Sequence, residues 1–383
     1  MPHETESVPI TLEKPLYGGY SLGRIDGKAV LVPAGIPGEE VLVRITEHKK
    51  DYSIGAIEAI IHGSADRIIP ACPLYGQCGG CCYQHLSYDH ELRLKETIVL
   101  DCLIRISGAD ADKMPGIRLV HGNRFNYRSH ATLKARAGNL GFFRRGSNDL
   151  VPLGNTGCLL LGNELNDWLS QHPRHSGPGD FRIASDSTGM VVTSRGPDKT
   201  VRETACGISF SRGLGSFFQS NRILRDRMIE IVKEYAGNDI RRSFLDIGCG
   251  VGFFSLCLAG QASEGVGIDI SKESIRWAKR NAARNGITNI RFQALPSALI
   301  HPGRLRPGLV VIDPPRAGID KKTRRTIIAI GPAALLYVSC NPSTFARDAR
   351  DFMRAGYRLE SLSLIDMFPC THHIEVISSF IRR

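Results

Sequence analysis

The chain has 383 residues, more than one ordinary hydrophobic core organises, so two or three domains are expected. Hydrophobic residues make up 42% and charged residues 23%, a soluble globular balance, and no apolar run approaches the ~20 residues that a membrane-spanning helix needs. The formal charge of +11 argues for a polyanionic partner, because releasing counterions from a phosphate backbone drives binding to a basic surface.

Residues 1–60 read as short strands separated by turn signals. Tyr17-Gly18-Gly19-Tyr20 and Asp26-Gly27-Lys28 punctuate apolar runs at 29–32 and 41–45, and a small β-barrel able to present a face to RNA is expected. The first ten residues lack a basic stretch followed by an apolar one, so no secretory leader is expected. Eleven cysteines, an odd number, then argue against a disulfide framework and for a reduced, cytoplasmic compartment.

Residues 71–160 carry a cysteine cluster followed by a basic, aromatic stretch. Cys72, Cys78 and Cys81 surround Gly79-Gly80, which gives the backbone room to wrap a metal group, and Cys158 is the candidate fourth ligand. Four thiolates suit zinc or an iron–sulfur cluster, and the three-plus-one spacing favours iron–sulfur in a stapling role. Cys82 is an additional thiol. Cys102, Cys206 and Cys257 read as small core fillers.

From about residue 240 strands and helices alternate. Strands are expected at 243–247, 265–270, 290–293, 309–312 and 335–339, with helices at 272–285 and 321–330, the pattern of a doubly wound α/β sheet. The first strand runs through Asp246 into Gly248-Cys249-Gly250-Val251-Gly252, and the second ends at Asp269, whose carboxylate can accept two ribose hydroxyls. Phe253 stands where a dinucleotide fingerprint needs its last glycine, which turns the choice of cofactor from NAD to S-adenosylmethionine.

Asp313-Pro314-Pro315-Arg316 closes the fourth strand, with two prolines stiffening the loop that carries a carboxylate into the crevice. Cys340 follows the next strand and precedes a helix whose N-terminus favours the thiolate. A thiolate next to a methyl donor suits carbon-5 methylation of uracil, because addition at carbon 6 makes carbon 5 nucleophilic. A base must then remove the carbon-5 hydrogen, and Glu375, just before a final apolar strand at 376–381, is the candidate.

Together these motifs resemble the RNA uracil-5 methyltransferases, in the iron–sulfur branch that acts on 23S ribosomal RNA. The resemblance spans nearly the whole chain. It implies a TRAM-like RNA-binding barrel over 1–62, through Gly18-Gly19-Tyr20-Ser21-Leu22-Gly23-Arg24. It implies a central α+β domain with a [4Fe–4S] cluster over 63–205, and a class I methyltransferase domain over 206–383. Cys72, Cys78, Cys81 and Cys158 match the cluster ligands, Gln219 a cofactor contact, Asp269 the ribose acid, Asp313 the motif-IV aspartate, Cys340 the nucleophile and Glu375 the general base. Asp246, Gly248, Gly250 and Phe253 complete the expected cofactor turn. Two departures stand out. Gln293-Ala294-Leu295-Pro296-Ser297 lacks the Asp or Asn that meets the adenine, and Gly248 replaces a common aromatic residue. A tRNA substrate, or an RNA-binding protein with an inactive methyltransferase fold, are the competing expectations. A monomer is the default.

Overall fold

The computed structural model describes residues 7–172, 177–237, 243–300 and 306–382. Residues 1–6, which open the stretch read for a leader, lie outside them. The chain divides into two compact units, Met1–Asp101 with Phe142–Val151 and Phe368–His373, and Cys102–Gly141 with Pro152–Met367 and Ile374–Arg383. Among the described residues no helix is long and apolar enough to cross a membrane.

In the first unit, strands β1 (Val8–Thr11), β2 (Lys14–Leu16), β3 (Tyr20–Ile25), β4 (Lys28–Pro33), β5 (Glu40–His48) and β6 (Tyr52–His62) form one sheet in the order β1-β5-β6-β4-β3-β2. All neighbours are antiparallel except β4 and β6. Alternation places one face inward. Ile10, Leu12, Val30, Val32, Val41 and Val43 make the core of this curled sheet, each burial contributing roughly 1.5–3 kcal/mol relative to exposure. Helix α1 (Tyr88–Cys102) follows the cysteine loop.

The second unit contains β7 (Ile117–Val120), β8 (His130–Arg136), β9 (Asn139–Phe143), β10 (Leu150–Pro152), α2 (Asn163–Gln171), β11 (Gly179–Ser185) and β12 (Val191–Thr193), some of β9 and β10 lying in the first unit. Strand β8 is flanked by β9 and β11, with β12 beyond β11. The hairpin β13 (Thr200–Ala205) and β14 (Ile208–Gly213) leads to α3 (Arg222–Ala236). Asn221 caps α3, its side-chain oxygen accepting from the N–H groups of Ile223 and Leu224 at 3.1 Å each.

The alternating region then runs β15 (Ser243–Ile247), α4 (Phe253–Leu258), β16 (Glu264–Asp269), α5 (Lys272–Arg284), β17 (Ile290–Ala294), β18 (Leu309–Ile312), α6 (Lys321–Ile330), β19 (Ala334–Ser339), α7 (Pro342–Arg354), β20 (Tyr357–Ile365) and β21 (Glu375–Arg382). The sheet has eight strands in the order β17-β16-β15-β18-β19-β21-β20-β7, parallel except for β21. Every residue of β18 and β19 is buried, which is why these strands read as continuous apolar runs. Strand β7, from the segment assigned to the central domain on sequence, is the outer strand here; four residues carry too little pattern to say so. Because β15, β16, β18 and β19 are parallel, the residues following them gather at one edge of the sheet.

Candidate active site

At that edge the glycine turn follows β15. Gly248 has φ of +83°, and a Cβ there would lie 2.7 Å from the carbonyl oxygen of Asp313, so only glycine lets the two strand ends approach this closely. Gly248 and Cys249 both donate to Ile268 O, at 2.9 and 3.0 Å. Asp269 closes β16. Its Oδ2 accepts from Gly250 N at 3.0 Å and its Oδ1 from Ser271 N at 2.7 Å, so backbone amides fix the carboxylate before any ligand arrives. Each oxygen keeps a lone pair for a further donor.

Asp246 lies behind this turn rather than in the open crevice. It is fully buried, its Oδ2 accepts from Ser255 Oγ at 2.5 Å, and its Oδ1 has no hydrogen-bond partner. Burial pushes its carboxyl up to about 7; Ser255 opposes the rise and Asp269 adds to it. Phe253, the first residue of α4, stacks edge-on with Phe218 and Phe254 at 5.3 and 4.9 Å between ring centroids. It belongs to a buried aromatic cluster with Phe210. Gln219 is buried beside Phe218, just before the α3 cap.

Asp313 follows β18, and its N–H donates to Ile247 O at 3.2 Å. Cys340 follows β19 and is half-buried. In the antiparallel pairing of β19 with β21, Ser339 faces Val376. One more step in that register sets Cys340 opposite Glu375, the buried first residue of β21. Burial pushes the Cys340 thiol up to about 11, with Glu375 and Asp313 adding and Arg316 opposing. Burial and then Asp313 hold Glu375 well above the usual carboxylate range, again against Arg316. Burial and then Asp246 raise Asp313 to about 7.

Helix α7 does start just beyond Cys340, with Asn341 as its cap and Pro342 at its first position. Burial and two carboxyl groups raise the thiol there and act against the favouring effect of that N-terminus. The carbonyl of Arg316 accepts from Asn341 Nδ2 and Thr344 Oγ1, both at 3.1 Å, which ties the Asp-Pro-Pro-Arg loop to the helix that follows Cys340. Sequence reading missed this clamp; the Asn-Pro pair that caps α7 was the available signal.

The cysteine loop belongs to the first unit. A Cβ on Gly79 would lie 2.8 Å from Phe143 O, so the segment at 143–145 packs directly on the loop backbone. Cys78 Sγ accepts from Gly80 N at 3.4 Å, Cys81 Sγ from Gln84 Nε2 at 3.3 Å, and Gln84 Oε1 accepts from Cys72 N at 3.0 Å. Cys82 is buried, and burial pushes its thiol far up. Cys158 lies in the second unit, bracketed by Asn166. Among the described residues no three His, Cys, Asp or Glu side chains gather closely enough to hold a metal ion.

The segment just before Glu375 is anchored in the first unit. Cys370 N donates to Glu91 Oε1 at 2.7 Å, and Cys370 O accepts from Cys82 N and Tyr83 N at 2.9 and 3.1 Å. Glu91 is paired with Lys95 at 2.8 Å, both fully buried.

A family profile described as tRNA (Uracil-5-)-methyltransferase matches residues 200–382, and the TRAM domain profile matches residues 4–57. An uncharacterized RNA methyltransferase of Halalkalibacterium halodurans is 31% identical over 96% of this chain and 94% of its own length. One of Aquifex aeolicus is 31% identical over 96% and 97%. The fold is shared with the Pyrococcus abyssi tRNA (uracil-54, C5)-methyltransferase, solved with S-adenosyl-L-homocysteine, at 22% identity and a TM-score of 0.73 over 97% of this chain and 100% of that one. With relatives matched end to end and both profiles in place, the chain belongs to the RNA uracil-5 methyltransferase family.

Proposed function

We propose that the protein transfers a methyl group from S-adenosylmethionine to carbon 5 of a uridine in RNA, with Cys340 as nucleophile and Glu375 as general base. The observation that carries this reading is the register that sets Cys340 opposite Glu375, beside Asp313 and Arg316, at the sheet edge that also bears Asp269. Asp269, Gly248, Gly250 and Gln219 would hold the cofactor, with Asp246 and Phe253 supporting the turn from behind. When bound, S-adenosylmethionine supplies the methyl group as a cation equivalent.

The chain's own residues do the rest. Glu375 gives up its proton to solvent as substrate binds, and the Cys340 thiol loses its own to the ionised carboxylate of Asp313, which burial raises to about 7 and so suits as an acceptor. The thiolate adds to carbon 6, and electrons from the 5,6 double bond move to the carbon-4 oxygen as an enolate. Arg316 is the cation that offsets negative charge in this cluster. After carbon 5 is methylated, ionised Glu375 takes its hydrogen as a proton, the double bond re-forms and the thiolate leaves.

The substrate we assign is 23S ribosomal RNA, because the TRAM domain and the Cys72, Cys78, Cys81 and Cys158 pattern together resemble that branch. A tRNA substrate is the second reading, favoured by the description of the profile matching 200–382 and by the Pyrococcus neighbour. The same four cysteines would hold a [4Fe–4S] cluster. The soft donor set and the N–H groups already directed at two sulfurs fit it. Iron and sulfide analysis of protein purified without oxygen checks this; metal-free protein of full activity would remove the cluster from the reading. We divide the labour among an RNA-binding barrel at 1–62, a central cluster domain at 63–205 and the methyltransferase domain at 206–383, in a cytoplasmic monomer.

The deciding experiment incubates the protein with labelled S-adenosylmethionine and unmodified ribosomal or transfer RNA, followed by nucleoside analysis. Labelled 5-methyluridine in ribosomal RNA is expected. Label in tRNA alone would move the substrate, and no label in either would return the chain to an RNA-binding role.

A further inference from the structure

We propose that Asp348 is a positioning residue for the reaction centre, its carboxylate fastening the loop that carries Asp313 and Arg316 to the helix that begins behind Cys340. This rests on the reading of Cys340 as nucleophile. On α7, Phe345, Ala346, Ala349 and Phe352 form the buried face, and Asp348 sits among them with no exposed surface. A carboxylate at such a core position is costly unless fully bonded, and an apolar residue there would serve stability as well.

Its bonds all lead toward the site. Oδ2 accepts from Ile319 N at 2.9 Å and from the hydroxyl of Tyr337, on the strand ending before Cys340, at 2.7 Å. Oδ1 accepts from Arg324 Nη1 at 2.9 Å and Arg347 Nε at 2.8 Å. Arg347 Nη2 in turn donates to the carbonyls of Ala317 and Ile319 at 3.0 and 3.2 Å. The loop backbone lies directly on the carboxylate, since a Cβ on Gly318 would be 2.6 Å from Asp348 Oδ2. The loop is therefore clamped at both ends by α7: at Arg316 O by Asn341 and Thr344, and at 317–319 by Asp348 and Arg347. Arg316, at the first clamp, is the cation that offsets Glu375 and Asp313 around the thiol.

The test follows iodoacetamide alkylation of the Cys340 peptide by mass spectrometry across pH, in wild type, Asp348→Asn, Arg316→Gln and the double variant. Asp348→Asn is expected to raise the midpoint by about one pH unit, slowing alkylation about tenfold below it. Arg316→Gln is expected to do the same, and the double variant no more than either. In turnover, kcat falls while KM for RNA holds, a split that general loosening of the fold would not give. If Asp348→Asn fails to fold, Arg347→Met releases the loop carbonyls and carries the same expectation. A folded Asp348→Asn variant with a wild-type alkylation profile overturns the proposal, as does a shift that adds in full to that of Arg316→Gln. Because the thiol is read directly, this result stands apart from whether Cys340→Ala still methylates RNA, which would overturn the nucleophile assignment instead.

Discussion

The two ends of the site are built on opposite principles. At the cofactor end, Asp269 is held by two backbone N–H groups and is ready for a ligand as it stands. At the proposed reaction end, Cys340, Glu375 and Asp313 all hold protons more tightly than usual, with Arg316 opposing the rise at Cys340 and Glu375. The first arrangement suits binding in the ground state; the second raises the proton affinity of the groups proposed to react. Substitutions at the cofactor end should act on affinity, and those at the reaction end on chemistry.

The largest effects belong to the reaction end. Cys340→Ala is expected to abolish methyl transfer while RNA binding persists in a filter or gel-shift assay. Glu375→Gln lets the thiolate add but cannot remove the carbon-5 hydrogen, so a covalent protein–RNA species should accumulate and migrate slowly on a denaturing gel. If that variant turns over freely with no such species, another group is the base, and the register opposite Cys340 has no catalytic meaning.

At the cofactor end the effect is intermediate and of a different kind. Asp269→Ala removes the acceptor for two ligand hydroxyls, which weakens S-adenosylmethionine binding by roughly 10–100-fold. In single-turnover assays at saturating cofactor the rate should stay within a few-fold of wild type. A collapse of the saturated rate with unchanged affinity, measured by calorimetry, would erase the division between the two ends.

The same division explains what the sequence made legible. Parallel strands buried on both faces read as apolar runs, so β18 and β19 were recognisable, as were β15 and β16 from the turn and carboxylate that end them and α5 and α6 from their spacing. Cys340, Asp313 and Asp269 were legible because each stands directly after or at the end of such a strand. The strand pairing that brings Glu375 to Cys340 is non-local, across 35 residues of chain that include α7 and β20, and no local pattern encodes it. Asp348 was invisible for another reason: a polar residue in a helix reads as surface until its buried neighbours Phe345 and Phe352 are seen. The helix N-terminus beyond Cys340 is visible in sequence, whereas the burial of its thiol beside two carboxyl groups is not.

The smallest expected effect is on stability, and it falls between the two ends at Asp246. An unfolded aspartate titrates near ~4, whereas in the fold burial raises this carboxyl to about 7. Between those values the folded state binds more protons than the unfolded one. The stabilisation is therefore complete below about pH 4 and is lost as pH rises through about 7, amounting to a few kcal/mol at the order-of-magnitude level. Asp246→Asn cannot ionise and can still accept from Ser255, so in urea melts it should gain on wild type at about pH 8 and not at about pH 5. Asp313 titrates too and keeps part of the slope, but Asp246 is itself a cause of its rise, so the variant should lower Asp313 as well. If wild type and variant instead melt in parallel across that range, Asp246 is ionised in the fold. The tightly held protons would then be confined to the groups around Cys340, sharpening the boundary between the prebuilt cofactor turn and the reaction centre.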